Sequence, residues 1–316
     1  MGRQLRRPGV HESVNIACES RTHGETVHSG RCGAYFALTR LPREYTMASN
    51  RRALVTGASA GIGEAFAREL ARRGHDLVLT ARRADRLEAL ARELRDRHGI
   101  EVIVAPLDLA WPDGVEALVA ALDAQALTID VLVNNAGYGV TGYFDEQPWP
   151  VHAAFIQVLM TAPTELAYRL LPGMKARGYG RIVNVASLAG HVPGSAGHTL
   201  YAASKAYLIR FSQSLALEGK GTGVHATAVC PGFTYSEFHD VTGSRALVSR
   251  MPSFMWMDAP TVARQGLDAV EAGKAVYVNG RVNRLIKGFF KLIPDALALK
   301  LVERQGRRFR TGPHRG

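Results

Sequence analysis

Between Arg52 and Val278 short apolar runs alternate with stretches of helical spacing. The apolar runs are Arg52–Val55, Leu77–Thr80, Glu101–Ala105, Val131–Val133, Arg181–Val185 and Val224–Val229. Between them, Glu64–Arg73, Arg86–Arg97, Val115–Leu122, His152–Leu171 and Tyr201–Glu218 repeat apolar residues three and four apart. Strands covered on both faces read as unbroken apolar runs, and the helices that cover them read as amphipathic stripes. This alternation predicts right-handed βαβ units: an α/β fold with a doubly wound parallel sheet, in which Ala275–Val278 adds an edge strand.

The first strand runs into Thr56-Gly57-Ala58-Ser59-Ala60-Gly61-Ile62-Gly63, and a helix follows at once. Gly57, Gly61 and Gly63 let the backbone turn tightly and approach a pyrophosphate, toward which the free N–H groups of the helix start are directed. The spacing differs from the general dinucleotide fingerprint, but the mechanism is shared. Ser59 and Ile62 lie inside the turn, where a bound phosphate would pass.

Composition adds limits. The chain has 316 residues, 47% of them hydrophobic and 21% charged, as one globular domain with extensions requires. Its net charge of +11 is concentrated at the ends: residues 1–46 carry +3 and residues 281–316 carry +8, leaving the body neutral. A neutral body argues against nucleic acid as a partner. Three cysteines, Cys18, Cys32 and Cys230, cannot form an even disulfide set, which points to a reducing cytoplasm. No apolar run reaches the roughly 18 residues of a spanning helix. Residues 1–49 show no period and are expected to be disordered, with Met47 as the natural start. The domain is therefore expected over 50–280, followed by a basic helical extension over 281–316.

Ligands of such sheets lie at the carboxyl ends of the strands. After the second strand come Arg82 and Arg83, where an acidic residue would select NAD; guanidinium groups there suit the 2′-phosphate of NADP(H), with NAD(H) still possible. The alternative is a solvated arginine pair on a helix start. After the third strand Asp108 and Leu109 are placed to bracket an adenine, and after the fourth Asn134-Asn135-Ala136-Gly137 is a turn of small residues. After the fifth stands Ser187, and fourteen residues on a helix carries Tyr201 and Lys205 on one face. A phenol has a pKa of about 10; a neighbouring ammonium and the positive nicotinamide of an oxidised cofactor would bring it toward the working range. Tyr201 then serves as acid/base at a carbonyl oxygen that Ser187 hydrogen-bonds.

Taken in this order, T-G-A-S-A-G-I-G, N-N-A-G, Ser187, Y-A-A-S-K and Cys230-Pro231-Gly232 resemble the short-chain dehydrogenase/reductase family. The resemblance covers about Arg52 to Val278. It implies a Rossmann-type single domain, a nicotinamide cofactor and a Ser187, Tyr201, Lys205 catalytic group. It further implies that Lys205 grips the nicotinamide ribose, that Pro231 and Gly232 contact the nicotinamide, and that the enzyme is a homo-oligomer. One position departs from the pattern: in Val158-Leu159-Met160-Thr161-Ala162-Pro163, Leu159 stands where the family usually has an asparagine that supports a proton-relaying water. Ser236 replaces a common threonine. Leu159 leaves open a second reading, a cofactor-binding regulatory protein with weakened catalysis.

Residues 233–258 are rich in large apolar groups, among them Phe233, Tyr235, Phe238, Met251, Phe254, Met255, Trp256 and Met257. They read either as a lid over an apolar carbonyl or alcohol substrate, which can be lipid-like, or as core contacts of a further helix pair. His191 and His198 lie in the loop before Tyr201; no ligand spacing recurs around them, so no metal is expected. Leu285, Ile286, Phe289, Phe290, Leu292 and Ile293 form a helical stripe beside Arg284, Lys287 and Lys291, and a second short helix follows Pro294. Such a helix can lie on an anionic membrane, cap the cleft or pack on a partner subunit. Nucleic-acid binding through Arg307, Arg308 and Arg310 lacks an aromatic platform.

Overall fold

The computed structural model describes residues 51–235, residue 237 and residues 252–308, with the side chains of 305–308 excepted. The expected disorder of 1–49, and Ser236, Phe238 and Met251, fall outside the described residues. Among the described residues the strands and α-helices follow in order: β1 (Arg52–Thr56), α1 (Gly61–Arg72), β2 (Asp76–Ala81), α2 (Ala84–His98), β3 (Val102–Pro106), α3 (Gly114–Ala124), β4 (Val131–Asn134), α4 (Trp149–Ile156), α5 (Ala162–Ala176), β5 (Gly180–Val185), α6 (Thr199–Glu218), β6 (Val224–Cys230), β7 (Phe233–Tyr235), β8 (Trp256–Asp258), α7 (Ala259–Glu271), β9 (Val276–Val278), α8 (Arg281–Leu292) and α9 (Asp295–Arg308).

Seven strands form one parallel sheet in the order β3-β2-β1-β4-β5-β6-β9, and β7 pairs with β8 in a small parallel ribbon. The order reverses between β1 and β4, which opens a crevice at their carboxyl ends. This is the Rossmann-type architecture. Both faces of the sheet are dry. Val55, Leu77, Leu79, Val104 and Val133 pack on one side with Phe66 and Leu70 of α1, and Leu54, Val78, Ile103 and Leu132 pack on the other with Leu118, Phe155 and Leu166.

Two differences from the sequence expectation have clear causes. The single helix expected over His152–Leu171 is interrupted by a π turn at Gln157–Thr161, which carries Leu159. Pro163 has no N–H to give the carbonyl of residue 159, so the normal ladder fails there and the turn widens. The second is α7, absent from the expectation: Asp258 caps it by accepting a hydrogen bond from the Thr261 N–H at 2.7 Å, and Pro260 occupies its first turn. Gly266 lets α7 close on Phe66 and Val229, since a Cβ there would lie 3.0 Å from each.

The carboxyl edge of the sheet is tied by polar side chains. The buried Thr56 hydroxyl accepts from the N–H groups of Asn135 (2.9 Å) and Ala136 (3.0 Å) and donates to the Val133 carbonyl (3.3 Å). Thr56→Val keeps the shape and leaves two N–H groups unpaired in the core. At about 1–3 kcal/mol per unsatisfied group, it is expected to lower stability by roughly 2–6 kcal/mol. The urea midpoint should fall with the slope unchanged, while Thr56→Ser should recover most of the loss.

Candidate active site

The glycine turn between β1 and α1 closes on backbone. Gly57 and Gly61 have φ of +66° and +59°, and the Gly57 N–H donates to the Thr80 carbonyl at 2.8 Å. A Cβ on Gly63 would lie 2.3 Å from the Gly57 carbonyl oxygen and 2.4 Å from the Asn135 amide nitrogen. The helix cap is Ala60, whose side chain can accept nothing. The first N–H groups of α1 therefore have no side-chain acceptor at the cap, and a ligand anion supplies one. Ser59 and Ile62 are half-buried in this turn.

Arg82 and Arg83 separate in the structure. Arg83 turns back onto the glycine turn, donating to the Ser59 hydroxyl at 3.1 Å and to Glu237 at 3.0 Å, and Arg86 donates to the same carboxylate at 2.6 Å. The two guanidiniums hold the Glu237 carboxyl below its ordinary range. Arg82 is exposed, and its charge acts on Tyr138 together with that of Asp108. Two arginines beside a phosphate-binding turn, already holding one anion, fit a second phosphate in chemistry and position. Asp108 accepts from the Ala110 N–H at 3.0 Å, whereas the Leu109 side chain is buried in the core and offers an adenine little surface.

The two asparagines of the N-N-A-G turn point opposite ways. The Asn135 amide donates to the carbonyls of Thr56 (3.0 Å) and Gly57 (3.3 Å), so this side chain shapes the turn. Ala136 is half-buried and Gly137 exposed beside it. Asn134 donates to Asn184 at 2.9 Å, Asn184 donates to Ser212 at 2.8 Å, and Ser212 donates to the Leu208 carbonyl at 2.7 Å. This buried chain docks α6 on β4 and β5.

Ser187, Tyr201 and Lys205 come together where β5 meets α6. A Cβ on Gly190 would lie 2.7 Å from the Lys205 carbonyl carbon, so the loop after Ser187 is pressed onto α6. Ser187 accepts from the Ala189 N–H at 3.1 Å and hydrogen-bonds the Tyr201 phenol. Lys205 donates to the Val185 carbonyl at 2.9 Å, with its Nζ 5.7 Å from the Tyr201 ring centre. Leu188 donates to the Pro231 carbonyl at 2.8 Å, which brings the Pro231-Gly232 turn alongside.

Burial dominates the electrostatics of the site. Burial pushes the Tyr201 phenol up to about 12, with Ser187 opposing, and no pull from Lys205 contributes. Burial lowers Lys205 to about 8, with the nearby Cys230 opposing. With both groups desolvated, the phenol holds its proton at neutral pH. His191, lowered to about 4 by burial and by the charges of Lys287 and Arg210, is neutral there too.

Leu159 is buried and lies over the N-N-A-G turn, its Cγ 3.6 Å from where a Gly137 Cβ would be. With Asn134, Thr56, Pro163 and Val185 it lines a cavity of about 10 Å³, the scale of one water. The Asn134 side-chain oxygen Oδ1 has no partner among the described residues. Phe233 and Tyr235 stack with Trp256, ring centres 5.5 and 4.7 Å apart. These aromatics belong to the β7–β8 ribbon that follows Pro231-Gly232; of the stretch between the two strands, residue 236 and residues 238–251 lie outside the described residues.

Residues outside the sequence candidates also shape the site. Thr56 and Glu237 are the clearest. A threonine at a strand end and a glutamate in an aperiodic stretch carry no signal of their partners.

Residues 51–245 match the short chain dehydrogenase family, and the chain belongs to it. It is an oxidoreductase of the Rossmann-type class. It is 37% identical over 196 residues to the NADP-dependent 3-hydroxy acid dehydrogenase YdfG of Escherichia coli (strain K12), covering 60% of this chain and 75% of that one. Among solved structures it resembles a short-chain dehydrogenase from Sphingobium yanoikuyae in complex with NADPH (TM-score 0.67, 33% identity, 78% of this chain and 97% of that). It also resembles the bulky-bulky ketone specific alcohol dehydrogenase from Comamonas testosteroni (TM-score 0.64, 30% identity, 79% and 97%).

The buried ammonium of Lys205 is costly below pH 8, where folded and unfolded chains are both charged. Between about 8 and its ordinary 10.5 only the unfolded chain holds that proton, so this contribution to stability rises with pH and is lost as pH falls through 8. The stability of wild type relative to Lys205→Met should therefore be flat below about pH 8 and improve toward pH 10.5, as denaturant titrations at stepped pH will show.

Proposed function

We propose that the protein is an NADP(H)-dependent carbonyl reductase that acts on bulky, apolar ketones. The observation that carries this reading is the meeting of Ser187, Tyr201 and Lys205 beside the glycine turn, with the phenol protonated. When bound, the nicotinamide supplies hydride to the carbonyl carbon or takes it back. The chain does the rest. Ser187 donates a hydrogen bond to the carbonyl oxygen and sets its direction. Tyr201 delivers its proton to that oxygen as negative charge develops, and burial keeps the phenol protonated until then. The Lys205 ammonium, steadied by the Val185 carbonyl, offsets the phenolate that remains.

The cofactor is held by the uncapped start of α1 and the turn of Gly57, Ser59, Gly61, Ile62 and Gly63. Asp108 and Leu109, together with Asn135, Ala136 and Gly137, border it; Tyr201, Lys205, Pro231 and Gly232 adjoin its reactive end. Arg82 and Arg83 give the preference for the 2′-phosphate, and the NADPH complex of the Sphingobium protein and the NADP dependence of YdfG support that choice. The aromatic stack of Phe233, Tyr235 and Trp256 supports an apolar substrate, as does the likeness to the ketone-specific Comamonas enzyme.

One observation favours the second reading, weakened catalysis: Leu159 presents hydrocarbon to a water-sized space that Thr56 and Asn134 also line. Two substitutions separate the readings. Tyr201→Phe should reduce NADPH-linked turnover of bulky ketones by about 10²–10⁴-fold while NADPH binding, read by fluorescence, persists. Binding without turnover in the wild type on every ketone class would decide for the regulatory reading. Replacing Arg82 and Arg83 together by Ala should raise the KM for NADPH about tenfold or more and leave that for NADH nearly unchanged.

A further inference from the structure

The last two helices leave large apolar side chains in solvent. On α8, Val282, Ile286 and Phe290 turn toward the protein and Asn283 is buried, whereas Leu285, Phe289 and Leu292 are 73, 50 and 85% exposed. Their i, i+4, i+7 spacing puts all three on one stripe. On α9, Ala298 is buried, whereas Leu297, Leu299 and Leu301 are 47, 55 and 37% exposed. Bases border these residues. At about 100° per residue, Arg281, Arg284 and Lys291 run along one edge of the α8 stripe, and Lys300 and Arg304 flank Leu297 and Leu301 on α9. All five are exposed, and Asp295 and Glu303 supply the acidic charge.

A water-facing helix has no use for exposed side chains such as Leu285, Phe289, Leu292, Leu297 and Leu301, so something covers them. A second copy meeting this patch about a two-fold axis would set the same bases against each other. An anionic bilayer surface complements both features, taking the apolar stripe into its headgroup boundary and the bases onto its charge. With 12 and 14 residues, the two helices fall short of the roughly 20 needed to span. They suit the plane of the interface.

We infer that α8 and α9 dock the protein on an anionic lipid surface, with the catalytic loop at that surface. The geometry joins the two. A Cβ on Gly232 would lie 2.5 Å from the Asn283 amide, so α8 starts hard against the Pro231-Gly232 turn. A cleft of about 290 Å³ separates α9, at Leu299, Lys300 and Glu303, from Gly194, Ser195 and Ala196 in the loop between Ser187 and Tyr201. Resting on the reading of that loop as part of a ketone reductase site, the substrate class is a ketone that partitions into membranes.

The test is co-sedimentation of the full chain with vesicles of phosphatidylcholine alone or mixed with phosphatidylglycerol. Binding is expected to the mixed vesicles at low salt and to weaken as salt rises. The triple variant Leu285→Ser, Phe289→Ser, Leu292→Ser should bind about tenfold less or worse, with circular dichroism unchanged. Should the triple variant misfold, Arg284→Gln with Lys291→Gln decides by the same readout. Equal binding of wild type and a folded variant overturns the inference, as does failure of the wild type to bind mixed vesicles. So does a variant that turns a dimer into a monomer in light scattering while its lipid binding stays intact. Sedimentation needs no turnover, so an inactive enzyme that binds vesicles would sink only the proposed reaction.

Discussion

One hydroxyl decides where the cofactor turn sits. Thr56 ends β1, and its Oγ1 gathers the N–H groups of Asn135 and Ala136 from the end of β4, while Asn135 returns its amide to the carbonyls of Thr56 and Gly57. The exchange fastens the two strand ends at the point where the sheet order reverses. Gly63 then fits against the same carbonyl only because it has no Cβ. The start of α1 is thereby held at a fixed height above the crevice. A looser joint would let the glycine turn swing away from the strand ends that carry the chemistry.

Asn134, the neighbour of Asn135, fixes the other half. It reaches the opposite way, through Asn184 and Ser212, into α6. Tyr201 and Lys205 are therefore held in register with β4 and β5 by a chain of buried amides and a hydroxyl, each costly to leave unpaired. On this rigid frame desolvation outweighs mutual attraction: the phenol rises to about 12 and the lysine falls to about 8. Each is pushed toward its uncharged form. A site without its ligand thus keeps a proton on Tyr201, the form a reductase needs when a carbonyl arrives.

The alternation of strands and helices was legible because parallel strands buried on both faces can only be apolar runs. Motif spacing likewise placed Ser187, Tyr201 and Lys205, since strand ends converge by topology. Local signals for α7 were also present: Asp258 with Pro260 is a cap followed by a first-turn proline. The apolar stretch just before them carries the stronger pattern and masks them. What no local pattern encodes is long-range polar pairing. The chain does not announce that Glu237 will meet Arg83 and Arg86, 154 and 151 residues away, nor that Arg83 rather than Arg82 will turn to Ser59. The surroundings of the Lys205 ammonium are a related case. Sequence spacing put Lys205 on the face of Tyr201, but it cannot show that the ammonium is spent on the Val185 carbonyl.

The β6 end links this chemistry to the far end of the chain. Pro231 accepts from Leu188, next to Ser187, and Gly232 leaves room for Asn283, which donates to the Asn279 carbonyl at 2.7 Å inside the first turn of α8. Lys287, one turn on, is near enough for its charge to act on both His191 and Cys230. The basic helix is thus a wall of the active-site region on one side and an exposed apolar stripe on the other. A force applied to that stripe reaches the Ser187 loop through two tight contacts and no flexible linker. On the proposed reading, a surface that holds α8 in place also holds the Ser187 loop, so docking and the setting of the carbonyl rest on one element.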